Sequence, residues 1–251
     1  MRYEATPNAH TDFKLERDAR NKSFSVDEEF RDASSNWRAM ALERKYMNSF
    51  SWLGRPLIQF PGDVMAVQEL ISAIRPTVVI ETGIAHGGSL ILSSSMLKLN
   101  DIDGKVIGVD IEIRPHNRDA IESHRHADLI TLYEGSSTDP KIVEQIRSHV
   151  GPADTVMVFL DSNHTHDHVL GELNAYSNMV SVGSYLVVFD THVEDMPDSY
   201  VWHNRPWGKG NNPKTAVHEW IKNNDNFEID NDIENQVLIT SAPDGFLFRR
   251  S

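Results

Sequence analysis

The stretch TVVIETGIAHGGS, residues 77–89, decides how this chain folds. Thr77–Ile80 is a short, β-branched apolar run, and Glu81-Thr82-Gly83 turns it towards a helix that begins at Ser89. Glycines at such a turn let the backbone approach a ligand closely, and the helix start offers unpaired N–H groups. The spacing is not the GxGxxG of dinucleotide sites, because Ala85 stands where the second glycine would be. An acidic residue at the strand end, Glu81, suits a cationic amino-acid tail and would repel a pyrophosphate. Glu81, Gly83, Ala85, Gly87, Gly88 and Ser89 are therefore candidate ligand-binding residues. A tight strand-to-helix turn with no ligand is the plain alternative.

Outward from this turn, strands and helices alternate. Val106–Val109 is an apolar run ending at Asp110, Leu129–Tyr133 ends at Glu134, Val156–Leu160 ends at Asp161, and Tyr185–Phe189 ends at Asp190. Helical stretches over 89–99, 140–149 and 167–176 separate them, and 64–74 forms a helix stopped by Pro76. Such a pattern predicts βαβ units and a parallel sheet covered on both faces. Beyond a helix at 216–222, three short runs read as strands: 227–229, 237–240 and 245–249. Residues 191–213 lack regular pattern and are a candidate lid carrying Trp202, His203, Arg205 and Trp207. Residues 1–60 read as a helical extension, disordered at its start, and 61–251 as the main domain.

The strand ends carry the chemistry. Asp110 is placed to accept hydrogen bonds from a ribose. Asp161 and Asp190 follow neighbouring strands, so one hard cation such as Mg²⁺ could sit between them, with an N-cap as the alternative role for Asp161. Such a cation would lower the pKa of a substrate hydroxyl. In the run DSNHTHDH, residues 161–168, His164 and His168 are one helical turn apart. His164 is the candidate general base, and a hydrogen bond orienting Asp161 is its competing role.

Bulk properties narrow the partners. The chain has 24 Lys+Arg against 37 Asp+Glu, a formal charge of −13, which disfavours nucleic-acid and anionic membrane surfaces. It has no cysteine, and its polar N-terminus shows no signal peptide. A cytoplasmic homo-oligomer acting on a small-molecule hydroxyl acceptor is expected.

The motifs ETGIAHGGS, KVIGVDIEIRPHN, EGSSTDP, FLDSNHTHDHVLGEL, VGSYLVVFDT and TSAPDGFLFRR, in this order, resemble the cephalosporin hydroxylase family, which includes rhamnosyl O-methyltransferases. The resemblance runs from about Trp52 to the C-terminus. It implies a Rossmann-like class I methyltransferase fold: a mostly parallel seven-stranded sheet with an antiparallel C-terminal strand. It further implies that S-adenosylmethionine binds with its methionine part on Glu81 and the glycines from Gly83. Asp110 would hold the ribose, Ser136 and Ser137 would lie near the adenine, and Asp161 would bind the metal. The family carries Glu-Asp where this chain has Phe189-Asp190, which removes one candidate oxygen ligand. O-methylation of a sugar or secondary metabolite is the leading expectation. The alternatives are a non-haem iron hydroxylase using Asp161, His164 and His168, and a non-catalytic S-adenosylmethionine-binding module.

Overall fold

A computed structural model describes residues 9–202 and 204–251. In chain order the elements are α1 (Ala9–Phe24), α2 (Glu28–Glu43), β1 (Phe50–Trp52), β2 (Arg55–Leu57), α3 (Pro61–Ile74), β3 (Val78–Thr82) and α4 (Gly88–Leu99). They continue with β4 (Lys105–Asp110), α5 (Pro115–Glu122), β5 (Ile130–Glu134), α6 (Pro140–Arg147), β6 (Val156–Leu160) and α7 (His166–Tyr176). The last are β7 (Tyr185–Val188), α8 (Pro213–Trp220), β8 (Phe227–Ile229), α9 (Asn231–Val237) and β9 (Phe246–Arg249).

Seven strands form one sheet in the order β5-β4-β3-β6-β7-β9-β8. The five from β3 to β7 are parallel, and β9 runs antiparallel to both β7 and β8. The chain leaves β3 towards β4 and β5, then returns to β3's other side as β6. That reversal opens a crevice at the carboxyl ends of β3 and β6, where ligands bind in open α/β sheets.

Burial explains why β6 is apolar throughout and β3 is apolar from Val78 to Ile80, since both strands lie wholly inside; Glu81 and Thr82 are buried polar residues at the end of β3. One face packs on Val67, Leu70 and Ile71 of α3 and on Leu92, Met96 and Leu97 of α4. The other packs on Leu173 and Tyr176 of α7 and on Val217 and Trp220 of α8. Local signals set the helix starts. Pro61, Pro140 and Pro213 occupy first-turn positions, where a missing N–H costs nothing. Asn212 and Thr215 form a reciprocal capping box on α8.

Three expectations change. The strand expected at 237–240 is absent: α9 runs to Val237, and Thr240 and Ser241 bond instead to the buried carboxylate of Asp63. Thr240 Oγ1 and Ser241 N and Oγ all donate to Asp63, so the segment needs no sheet partner. The residues from Ala9 to Phe24 are helical, whereas positions 1–8 of the expected disordered start lie outside the described residues. The N-terminal region also contains the β1–β2 hairpin, whose strands of three residues are too short to show a period. Among the described residues no helix is long and apolar enough to cross a membrane.

The hairpin is locked to the main domain at Gly88. A Cβ there would stand 2.2 Å from the Pro56 carbonyl oxygen, an approach only glycine permits. Gly88→Ala must push backbone from backbone and is expected to cost about 1–3 kcal/mol. Thermal unfolding checks this; an unchanged midpoint would show that the hairpin does not press on α4.

Candidate active site

The crevice is a cavity of about 1110 Å³, larger than a single drug-sized ligand fills. Its wall includes Gly83 and Ala85 from the first turn, Asp110 after β4, Ser136 and Ser137 after β5, and Asp161 after β6. Asp190, His164, His168 and His192 line it as well.

The turn after β3 is held open by its neighbours. Gly83 adopts φ +86°, and a Cβ there would lie 2.0 Å from the Asp161 carbonyl oxygen. The Asp161 amide donates to the Thr82 carbonyl at 2.9 Å, so the β3 and β6 ends are tied together. Asp110 Oδ2 accepts the amide protons of Ile84 (2.8 Å) and Ala85 (3.2 Å). Ala85 takes φ +45°, a strained value for alanine, and Asn117 fixes its carbonyl at 2.9 Å. Asp110 thus fronts the cavity and fastens the turn beside it.

Not all of the expected turn residues reach the cavity wall. Glu81 is buried behind it, bonded to Ser89, and shares a water-sized void with Gln59, Phe189 and Asp161. Gly88 faces the hairpin, and a Cβ on Gly87 would meet Ile121 in the core at 2.4 Å. Gly87→Val therefore disturbs packing and is no clean probe of ligand approach. In sequence all of these look alike, because a turn's local pattern does not say which side faces out.

The acidic cluster sits at the carboxyl ends of β6 and β7, which pair in parallel register. Asp161, His164 and Asp190 each offer a donor atom within 4.8 Å of the others. His164 Nε2 lies 3.1 Å from Asp190 Oδ2, and its ring stands edge-on to Trp207 with centroids 4.7 Å apart. His164 precedes α7 and is not in its first turn, so the expected helical stacking of His164 and His168 does not occur. His168 Nε2 instead contacts Ser137 Oγ (3.0 Å) and Ser162 Oγ (3.1 Å), and Ser162 donates to the buried Glu172 at 2.6 Å.

Asp190 adopts φ +56°, a left-handed conformation that a strand end would not choose unaided. Phe189 points the other way, into the core against Phe159, with centroids 6.1 Å apart. Phe189 is a packing residue here, and the Asp161–Asp190 pair forms without it. Two carboxylates and one imidazole fit a divalent cation, and the carboxylates suit a hard one. Burial and the fields of Asp190 and Glu81 hold the Asp161 carboxyl well above the usual range. A bound cation would relieve that repulsion.

His192, two residues after Asp190, has a distinctive setting. It is buried, with Nδ1 3.1 Å from the Ser241 carbonyl oxygen. That contact puts the proton on Nδ1, leaving Nε2 an unpaired acceptor with no partner. Burial keeps the imidazole below its usual pKa against the pull of Asp190. No spacing rule reveals this, because Ser241 lies 49 residues away in sequence. His203 of the lid lies outside the described residues.

The fold and site define a doubly wound α/β protein with a ligand crevice at its switch point and a cation-fitted carboxylate pair beside it. Residues 44–250 match the family described as Rhamnosyl O-methyltransferase/CmcI, and the chain belongs to it. It is 32% identical over 191 residues to a rhamnosyl O-methyltransferase of Mycobacterium bovis, covering 75% of this chain and 73% of the relative. A rhamnosyl O-methyltransferase of Mycobacterium leprae is 29% identical over 206 residues, covering 81% and 84%. Among solved structures, a CmcI structure with Mg and SAM superposes with TM-score 0.56 at 20% identity, covering 81% of this chain and 78% of that one. A CmcI apo-structure gives TM-score 0.58 at 19% identity, covering 81% and 77%.

Glu81 offers a test of the buried acids. Burial raises its carboxyl from 4.5 to about 8, so the folded protein keeps a proton that the unfolded chain releases. Stability from this group is complete below pH 4.5 and is lost as pH rises towards 8. Asp63, raised to about 6, completes its own loss lower in the range. Glu81→Gln should therefore flatten the fall in melting temperature between about pH 6 and 8; an unchanged slope would remove Glu81 from the account.

Proposed function

We infer that this chain is an S-adenosylmethionine-dependent O-methyltransferase acting on a hydroxyl of a sugar or another small molecule, assisted by a divalent cation. One observation carries the reading: a single cavity joins the Gly83–Asp110 wall to the Asp161–His164–Asp190 cluster. Methyl transfer from a nucleoside-bearing donor to a cation-held hydroxyl needs both in one enclosure. Family membership and the rhamnosyl O-methyltransferase relatives support the same chemistry.

S-adenosylmethionine, when bound, supplies a methyl group on a positively charged sulfur. Gly83 and Ala85 would receive its backbone-like end, Asp110 its ribose, and Ser136 and Ser137 its base. A hard cation, when bound, supplies Lewis-acid polarisation of the acceptor hydroxyl. Asp161 and Asp190 would hold that cation, with His164 Nε2 as a third protein donor. The hydroxyl proton then needs another acceptor, and His192, which lines the cavity and carries a solvent-shielded, unpartnered Nε2, is proposed as that base. This reassigns His164 from base to ligand.

An iron hydroxylase fits less well. The cluster holds one imidazole and two carboxylates, not two imidazoles and one carboxylate, and His168 is engaged by Ser137 and Ser162. The protein is proposed to act in the cytoplasm as a homo-oligomer, with the half-exposed Trp37 and Met40 of α2 available for contact with a second copy. The N-terminal 60 residues are proposed to form an extension of a domain spanning 61–251.

Calorimetry with S-adenosylmethionine and labelled methyl transfer to simple glycosides test the reading. His192→Gln should lower kcat by roughly 10²–10⁴-fold, without rescue by excess Mg²⁺. His164→Gln should weaken Mg²⁺ affinity by about 10–100-fold, with rescue at high Mg²⁺. Full activity after EDTA treatment would contradict the cation's role, and failure to bind S-adenosylmethionine would contradict the whole reading.

A further inference from the structure

The cavity wall is electrically divided. Its sheet edge bears the carboxylates of Asp110, Asp161 and Asp190, whereas Lys45 and Arg205 are the Lys and Arg side chains on the described wall. The protein carries 37 acidic residues, so a cation near its surface ordinarily finds a carboxylate. Nearby lysines do: Lys209 pairs with Asp198, and Lys214 with Asp195 at 2.8 Å. Among the described residues neither Lys45 nor Arg205 has such a partner.

Each is held in a way that mere surface charge would not require. The Arg205 guanidinium lies over the Trp207 ring, 5.0 Å from its centroid. Trp207 in turn receives the edge contact of His164, 4.7 Å between centroids. Arg205 is thus spaced from the carboxylate cluster by one indole, and a guanidinium over an indole face keeps N–H groups for a two-oxygen anion. Lys45 follows α2 at φ +54°, a left-handed position where glycine or asparagine is the usual choice. Its exposed side chain lies on the cavity wall. Tyr200 from the same segment as Arg205 and Leu42 at the end of α2 line the cavity with them. Met47, Ile58 and Trp202 supply apolar wall on the same cavity.

We propose that the acceptor is a hydroxylated ring bearing an anionic group, a carboxylate or a phosphate, which Lys45 and Arg205 receive while the hydroxyl lies at the Asp161–Asp190 edge. The proposal rests on the O-methyltransferase reading. A chain of formal charge −13 repels anions in general, so admitting one here requires local cations of this sort. The same pair would disfavour a cationic acceptor.

The test titrates three matched probes into protein saturated with S-adenosylhomocysteine and Mg²⁺: p-nitrophenyl β-glucoside, its 6-carboxylate (the glucuronide) and its 6-phosphate. At least one anionic probe should bind about 10-fold more tightly than the neutral glucoside, as charge-assisted hydrogen bonds provide. Comparing the carboxylate with the phosphate identifies the anion. The advantage should vanish in the Lys45→Met/Arg205→Met double variant and shrink as NaCl is raised. Both side chains are exposed, so the variants should keep the wild-type melting temperature; single Lys45→Met and Arg205→Gln variants repeat the measurement if the double does not. Equal or tighter binding of the neutral glucoside, no binding of either anionic probe, or a preference that survives the double variant overturns the proposal. Failure of S-adenosylhomocysteine itself to saturate the protein overturns the underlying reading instead.

Discussion

Two carboxylates placed on neighbouring strand ends repel each other, and much of the architecture serves to keep Asp161 and Asp190 there. Parallel pairing of β6 with β7 sets their separation. The bond from the Asp161 amide to Thr82 anchors one of them to the centre of the sheet. The left-handed turn at Asp190 sends its carboxylate towards Asp161 while Phe189 goes to the core. Burial, and after it the field of Asp190, raises the Asp161 carboxyl above the usual range. A divalent cation held between them would offset that repulsion.

The segment that replaces the expected strand at 237–240 shows how far the support extends. Asp63, fully buried on α3, gathers Thr240 and Ser241 through three hydrogen bonds. Ser241 then uses its carbonyl to fix the tautomer of His192. A carboxylate behind the cavity wall therefore holds the residue whose carbonyl takes the Nδ1 proton of His192. The link runs α3, segment 240–241, His192, and each step is a named hydrogen bond.

Much of this was legible in the sequence because it rests on short-range rules. The β-branched runs gave the strands of the parallel sheet, and acidic residues directly after them gave Asp110, Asp161 and Asp190. The pairing of β6 with β7 follows from ordinary doubly wound topology. What stayed hidden depends on long-range contact or on direction. Run 237–240 looks like a strand because nothing local announces Asp63. That Glu81 lies behind the cavity wall is not readable locally, because Gln59 and Phe189, which line a small void with it, are distant in sequence. His164 and His168 have helical spacing, but α7 starts after His164, at His166, and separates their roles. Family resemblance supplied the cofactor and the serines after β5, which no spacing argument reaches.

The central claim is that Asp161, Asp190 and His164 bind one divalent cation at the cavity floor. Electron paramagnetic resonance with Mn²⁺ as the probe tests it most directly. One site per chain is predicted, with nitrogen coupling from a directly bound imidazole. Asp161→Asn and Asp190→Asn should each abolish the site, and His164→Gln should remove the nitrogen coupling while weakening binding. A Mn²⁺ site that survives both Asp substitutions, or no site at all in the wild-type protein, would contradict the account.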